Sequence, residues 1–140
     1  MILDASLQFS NAQDISSTAD STNQLDMGVA RDLGTGKALF VLVTVTTALT
    51  NTGTLGVALE GDSTSTITPD ATRSLFVIPA NAAIGDTFIA PLHPGGAPEQ
   101  FRFLGLAYTV SGTIDAGAVD AFLVDSYQLN TLYANNYTIS

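Results

Sequence analysis

Residues 39–47 read LFVLVTVTT, and this stretch decides which kind of fold the chain can form. β-Branched and aromatic side chains dominate it, and these residue types favour the extended conformation of a strand. Its first half is apolar at every position, so both faces of the strand must be covered by other parts of the protein. We therefore expect residues 39–47 to form a strand in the interior of a β-sheet.

The segment that leads into this strand, RDLGTGKALF at residues 31–40, contains part of a phosphate-binding loop pattern. That pattern needs a glycine where Arg31 stands and a hydroxyl residue where Ala38 stands. It also needs a helix to follow, because the helix N-terminus binds the phosphate. A strand follows here instead. We therefore predict that residues 33–37 form a turn and that Lys37 binds no nucleotide.

Short runs of apolar residues, separated by turn residues, fill most of the remaining chain, whereas helical periodicity is almost absent. About eight strands with turns at this spacing are typical of an antiparallel sandwich or barrel, and two sheets with eight strands is the jelly-roll count. We predict an all-β, antiparallel jelly-roll β-sandwich in a single domain, 1–140. An immunoglobulin-like sandwich stays open as an alternative. Besides 39–47, the predicted strands cover 7–13, 25–29, 55–59, 74–78, 87–92, 101–110 and 119–124.

The composition is unusually apolar for a single small domain. Hydrophobic residues make up 46% of the chain and charged residues only 12%, about half the usual charged fraction. Large apolar patches seldom stay exposed on a monomer. The composition therefore favours an assembly, and we expect a homo-oligomer, with a homodimer favoured over a homotrimer because two-fold dimers are the commonest closed assembly.

The balance of charge excludes one class of partner. The net charge is −9, and the four cations, Arg31, Lys37, Arg73 and Arg102, are scattered along the sequence. Nucleic acids and anionic membranes attract clustered cations, because binding must displace their counterions. We expect no nucleic-acid partner and no membrane partner.

Cysteine is absent, so the chain has neither disulfides nor thiolate chemistry. Its first residues lack the basic region of a secretion signal. The longest apolar stretch, 38–49, is too short to span a bilayer. We expect the protein to be made and used without signal-dependent export.

Candidate catalytic and metal-binding residues are few. The single histidine, His93, cannot supply the several ligands of a cupin-type metal site, and no nucleophile motif accompanies it. Asp115, Asp120 and Asp125 recur every five residues, but residues five apart on a strand point to opposite faces. Asp62, in a loop rich in Ser and Thr, is a slightly better candidate for an ion. We predict no enzyme activity, no cofactor and no metal site.

Both chain ends are more apolar than free tails usually are. Either they complete the protein's own sandwich, which we favour for Leu7 and Phe9, or they contact a partner, which we favour for residues 133–139. Residues 128–140 are therefore a candidate C-terminal contact arm. The full set of candidate partner-binding residues is Ile2, Leu3, Leu7, Phe9, Leu132, Tyr133, Tyr137 and Ile139.

Three stretches resemble one known family. MILDASLQFSNAQ at 1–13, STNQLDMGVARDLGTGKALFVLVTVTTAL at 21–49, and FRFLGLAYTVSGTIDAGAVDAFLVDSYQ at 101–128 are similar to the capsid cement proteins of short-tailed bacteriophages of the Bordetella phage type. The order and spacing of the three stretches match along the chain, so the resemblance covers most of it. No catalytic motif lies in any of them, and the specificity comes from their combination.

This resemblance implies a jelly-roll protein on the outer surface of an icosahedral phage head. There it would clamp neighbouring copies of a major capsid protein of the tailed-phage shell fold, after synthesis in the cytoplasm of the bacterial host. The rival hypothesis is a carbohydrate-binding or host-receptor-binding module on a virion or cell surface, which the same sandwich and the Ser/Thr-rich loops would suit. A small hydrolase is a third hypothesis, which rests on unpaired carboxylates alone.

Overall fold

The structure is a computed structural model, and it describes residues 5–29, 39–65, 69–93 and 97–125. Within these ranges the chain forms nine strands and two short 3-10 helices, Ala5–Leu7 and Pro98–Gln100. The strands are β1 (Gln8–Asp14), β2 (Ala19–Asp20), β3 (Leu25–Asp26), β4 (Leu39–Thr47), β5 (Thr54–Asp62), β6 (Ala71–Ile78), β7 (Thr87–Pro91), β8 (Phe103–Ser111) and β9 (Ala118–Asp125).

The nine strands form two antiparallel sheets that pack face to face. Sheet A has the order β1-β9-β4-β7, and sheet B has the order β2-β8-β5-β6, with β3 also paired to β8. The first strand therefore pairs with the last, and most successive strands lie in opposite sheets, as they do in a jelly roll. The exceptions are β2 with β3 and β5 with β6, which share sheet B. In an immunoglobulin-like sandwich the first two strands pair with each other. The strand order thus confirms the jelly-roll prediction.

Strand β4 confirms the sequence prediction over its whole length, 39–47, and lies between β9 and β7 inside sheet A. Its alternate residues Val41, Val43 and Val45 are buried in the core between the sheets. Leu42 lies on the opposite face, where it is also buried. A strand that is covered on both faces needs apolar residues at every position, as the sequence of β4 has.

The inter-sheet core closes on the side where β6 and β7 meet. The rings of Phe76 on β6 and Phe88 on β7 stack with their centroids 5.9 Å apart. A polar network crosses the core elsewhere: the hydroxyl groups of Tyr108 on β8 and Ser10 on β1 lie 2.7 Å apart, and Ser10 donates a hydrogen bond to Gln13 Oε1 (2.6 Å). Because the Ser10 hydrogen is used in this way, Tyr108 donates to Ser10.

Several predicted strand boundaries were wrong. The predicted strand at 25–29 contains only the two residues of β3, and β2 lies at 19–20, between two of the predicted strands. β5 continues to Asp62, three residues past the end of the predicted strand at 55–59. The cause is a tertiary contact: a Cβ at Gly61 would lie 2.4 Å from the carbonyl oxygen of Pro98, so this glycine lets β5 run directly under the second 3-10 helix.

Candidate contact surfaces

The residues predicted to contact a partner divide into two groups. Phe9 is fully buried, and Leu7 is partly buried against the same core, so both complete the protein's own sandwich. Their burial agrees with the alternative that we favoured for these two residues. The other predicted contact residues lie outside the described residues, as does the predicted turn at 33–37, and their contacts stay a prediction: Ile2, Leu3, Leu132, Tyr133, Tyr137 and Ile139.

The outer face of sheet A carries a second apolar cluster. It consists of Leu42, Phe122 and Val124, with Phe40 packed against it. Leu42 and Val124 are only 1% and 2% exposed. The register pairs Leu42 with Ile89 on β7, which places Ile89 beside the cluster with 39% of its surface exposed. The centre of this face is therefore covered, and its exposed apolar surface lies at the β7 edge.

The outer face of sheet B carries a group of small residues. The register places Gly56, Ala58, Ser74 and Thr109 side by side on it, across β6, β5 and β8. These short side chains leave a shallow trough of about 340 Å³. Val77 lines the trough with 62% of its surface exposed. None of the residues that line the trough is charged.

The same face carries two carboxylates at its other end. Glu60 pairs with Gly105 and Asp20 with Ala107, which puts both acids on the outer face. Glu60 is only 7% exposed. Burial, and then the negative charge of Asp20, raises the pKa of Glu60 above its usual range. The outer face of sheet B is thus divided into an acidic end and a neutral end.

The only charged residue of β6 is Arg73, and its side chain turns towards the end of the sandwich, where it pairs with Glu99. Arg73 Nη1 donates a hydrogen bond to Glu99 Oε2 (2.8 Å) and also contacts Oε1, and Arg73 Nη2 lies 3.5 Å from the carbonyl oxygen of Pro91 on β7. Glu99 has no exposed surface. This ion pair fixes the second 3-10 helix against β6 and neutralises the one charge that β6 holds.

A second ion pair joins Arg102, just before β8, to Asp26 at the end of β3. Arg102 donates two hydrogen bonds to the carboxylate of Asp26, at 2.8 and 3.0 Å, and its guanidinium group lies 4.8 Å from the ring centre of Phe103. The arginine, and then the backbone N–H of Gly28, lower the pKa of Asp26 to about 2. Both arginines of the described residues are therefore paired with acids, which leaves no cationic patch there for an anionic partner.

An open polar cavity of about 560 Å³ lies beside this ion pair. Amide and hydroxyl side chains dominate its lining, with the ring of Phe103 among them. Asn23 Nδ2 and Gln8 Nε2 each donate to a backbone carbonyl, at 3.3 and 3.0 Å, so these two side chains keep their amide oxygens as acceptors. The lining residues are Ser6, Gln8, Thr22, Asn23, Gln24, Leu25, Ser65 and Phe103.

The residues considered for chemistry do not converge. His93 is exposed and lies two residues after the end of β7. Asp62 is buried and accepts hydrogen bonds from the backbone N–H and hydroxyl of Thr64, at 2.8 and 3.0 Å. In the part of the chain that the structure describes, no group of three or more His, Cys, Asp or Glu side chains could hold a metal ion. Nor does any helix there have the length and apolar character needed to cross a bilayer.

A comparison with known protein families identifies the family of this chain. The model of the Bbp16 family matches residues 9–123. This chain belongs to the Bbp16 family. The matched range begins in β1 and ends in β9, so it covers both sheets of the jelly roll. The family name points to a protein family of Bordetella phage, which agrees with the resemblance noted in the sequence. No curated protein matches this chain.

Sequence reasoning missed the features that single out β6. The sequence predicted a strand at 74–78. The exposure of Val77 and the neutral trough were missed because they depend on which strands are neighbours in the sheet. The pairing of Arg73 with Glu99, 26 residues later in the chain, was equally hidden. The sequence of β6 offered no signal of its own, because one charged residue in eight matches the 12% charged fraction of the whole chain.

Proposed function

We propose that this protein is a capsid cement protein of a phage. It binds the outer surface of an icosahedral head and clamps neighbouring copies of the major capsid protein, which stabilises the expanded shell against the packaged DNA. The observation that carries the proposal is the Bbp16 family match, which spans the whole jelly roll from β1 to β9. The family points to a phage protein, and a virion structural role is compatible with it.

The geometry supports a role in binding between surfaces. The two sheets pack into one body with a continuous core, and the described cations are paired within the protein. A net charge of −9 also suits a position outside the shell, away from the packaged DNA. Three of the four exposed large apolar side chains of the described residues, Val77, Ile84 and Ile89, lie on or between the edge strands β6 and β7, where a partner can reach them.

Mass action explains how such a protein would strengthen a shell. A protein that binds only the expanded shell lowers the free energy of that state at every site that it occupies. Several kcal/mol per site, on the order of the binding energy of a micromolar complex, add up over the many equivalent sites of an icosahedral head. The contact itself should bury roughly 1,000 Å² or more in total, as specific interfaces do.

Co-sedimentation with purified phage heads tests the proposal. The protein should bind expanded heads saturably, in a fixed ratio to the major capsid protein, and should bind unexpanded heads at least tenfold more weakly. Bound protein should also reduce the loss of DNA from filled heads on heating. Absence of saturable binding to expanded heads of the phage that encodes it would overturn the proposal.

A second candidate function is supported by the polar cavity beside Phe103. Amide and hydroxyl groups around an aromatic ring are the groups that bind neutral sugars, so the cavity suits a carbohydrate-binding or host-receptor-binding module. A glycan array separates the two functions. Saturable binding of a glycan, lost on Gln24→Ala and retained on Ser17→Ala outside the cavity, would favour this second function over the first.

A further inference from the structure

Strand β6 is the least protected sheet edge among the described residues. It has eight residues and pairs with β5 on one side only. Its side chains Thr72, Ser74 and Val77 are exposed. An unpaired edge of this length presents a row of backbone donors and acceptors that can pair with a further strand.

The edge of sheet A at β1 is closed by the chain itself. The backbone N–H of Asn23 donates to the carbonyl of Phe9 (3.0 Å), and that of Thr22 donates to Gln13 Oε1 (3.0 Å). The strand also has two register shifts and a left-handed backbone at Ala12 (φ 47°). Bulges of this kind twist an edge away from partners.

The remaining two edges are short. β2 and β3, at the other edge of sheet B, have two residues each, and each ends in an aspartate. β7 has five residues, follows Asp86, and ends in Pro91, which has no N–H to donate. Short strands, charges and proline are the devices that block edge pairing. β6 carries one such device, a register shift beside Leu75.

The distribution of charge selects the partner. Each copy carries a net charge of −9, so two copies repel each other wherever their acids meet. β6 has no acidic residue, and its single cation, Arg73, is already neutralised by the buried Glu99. Two β6 strands paired antiparallel about a two-fold axis therefore bring no unpaired like charges opposite each other, and like charges opposite are what destabilises such a pair.

We propose that β6 is the self-association edge of this protein, at which a second copy pairs its own β6 antiparallel and joins the two B sheets into one continuous sheet. The neutral trough and Val77 flank the edge and add apolar contact on the outer face of the joined sheet. A two-fold contact of this kind is isologous and closes after two copies. The inference extends the proposed function by naming the interface that would link two clamps, and it is tested without phage heads.

A matched pair of charge substitutions tests the edge. Ser74→Glu places a negative charge on β6, whereas Ser17→Glu makes the same change at an exposed serine between β1 and β2. Sedimentation velocity of the full chain should show that Ser74→Glu weakens self-association at least tenfold, while Ser17→Glu changes it less than threefold. Circular dichroism melting checks that both variants are folded.

Cysteine cross-linking gives a second measurement on a chain that has no cysteine of its own. Single-cysteine variants at Thr72, Ser74 and Val77 should form disulfide-linked dimers under mild oxidation, most efficiently at the position nearest the two-fold axis, and Ser17→Cys should not. The proposal is overturned if the unsubstituted protein is monomeric at high micromolar concentration, or if Ser74→Glu associates as well as Ser17→Glu and no β6 cysteine cross-links. Saturable binding of a monomer to expanded heads would overturn this inference and leave the proposed function standing.

Discussion

Single residues explain why a small sandwich tolerates polar groups in its interior. Tyr108 is fully buried, yet its hydroxyl group bonds to Ser10, whose hydroxyl in turn bonds to Gln13. Burial raises the pKa of Tyr108 to about 12, so the phenol stays protonated and remains a donor at any physiological pH. Burial also raises the pKa of Glu60, which shows that burial works against the charge of this carboxylate.

The Tyr108 network predicts an order of stability. Ser10→Ala leaves the buried phenol without its partner and should lower the free energy of unfolding by about 1–3 kcal/mol. Tyr108→Phe leaves the Ser10 hydroxyl bonded to Gln13 and should cost only about 1 kcal/mol. Urea unfolding at pH 7 measures both variants, and the opposite order would contradict the assignment of Tyr108 as the donor to Ser10.

Glu60 predicts an unusual pH dependence. A carboxyl group whose pKa is higher in the folded than in the unfolded state binds more protons when folded, so the free energy of unfolding falls as pH rises from the ordinary pKa through the raised one. Glu60→Gln should therefore be more stable than the unsubstituted protein at pH 7 and equally stable at low pH, below both pKa values. Asp20→Asn should give part of the same gain, because the charge of Asp20 is the lesser cause. Equal stability of Glu60→Gln and the unsubstituted protein at pH 7 would contradict this account.

At the level of strands, the sequence predicted some features correctly and missed others. The bounds of β4 were predicted to the residue, because apolar β-branched residues at every position leave little choice of conformation. β2 and β3 were missed or overextended, because two-residue strands at an edge have no periodicity to detect. Sheet order and the position of β6 at the edge of sheet B among the described strands were out of reach as well, since both depend on contacts between residues far apart in sequence.

The second 3-10 helix offers a test at this scale, because the Arg73–Glu99 pair ties it to β6. Arg73→Ala leaves the carboxylate of Glu99 buried without a cation, which should cost about 3 kcal/mol in the free energy of unfolding. Arg73→Ala combined with Glu99→Gln removes the stranded charge and should recover part of that loss. Urea unfolding of the two variants checks this, and a double variant less stable than Arg73→Ala alone would show that the charge of Glu99 has another partner.

The whole molecule combines an acidic character with a neutral sheet edge. Its net charge of −9 keeps copies apart over most of the surface, whereas the edge at β6 lacks that barrier. The composition indicated an assembly, but only the fold shows where the uncharged, exposed apolar surface lies. The prediction that residues at the two chain ends contact a partner is a separate hypothesis with its own test.

Deleting residues 133–140 tests the predicted contact arm. The nine strands of the described residues all lie within 8–125, so we expect the truncated protein to stay folded with a melting temperature close to that of the full chain. If the arm contacts a partner, binding to expanded heads or self-association should fall. Unfolding of the truncated protein would assign the arm to the core, and undiminished binding together with undiminished self-association would show that it contacts nothing.

The most direct test of the cement proposal is a cryo-EM map of expanded heads incubated with the purified protein, compared with a map of the same heads alone. The account predicts additional density on the outer surface, at equivalent positions throughout the shell, that fits the two-sheet jelly roll of residues 8–125 and touches at least two copies of the major capsid protein. Density confined to a tail or to a host-receptor structure, or no additional density at saturating protein, would contradict it.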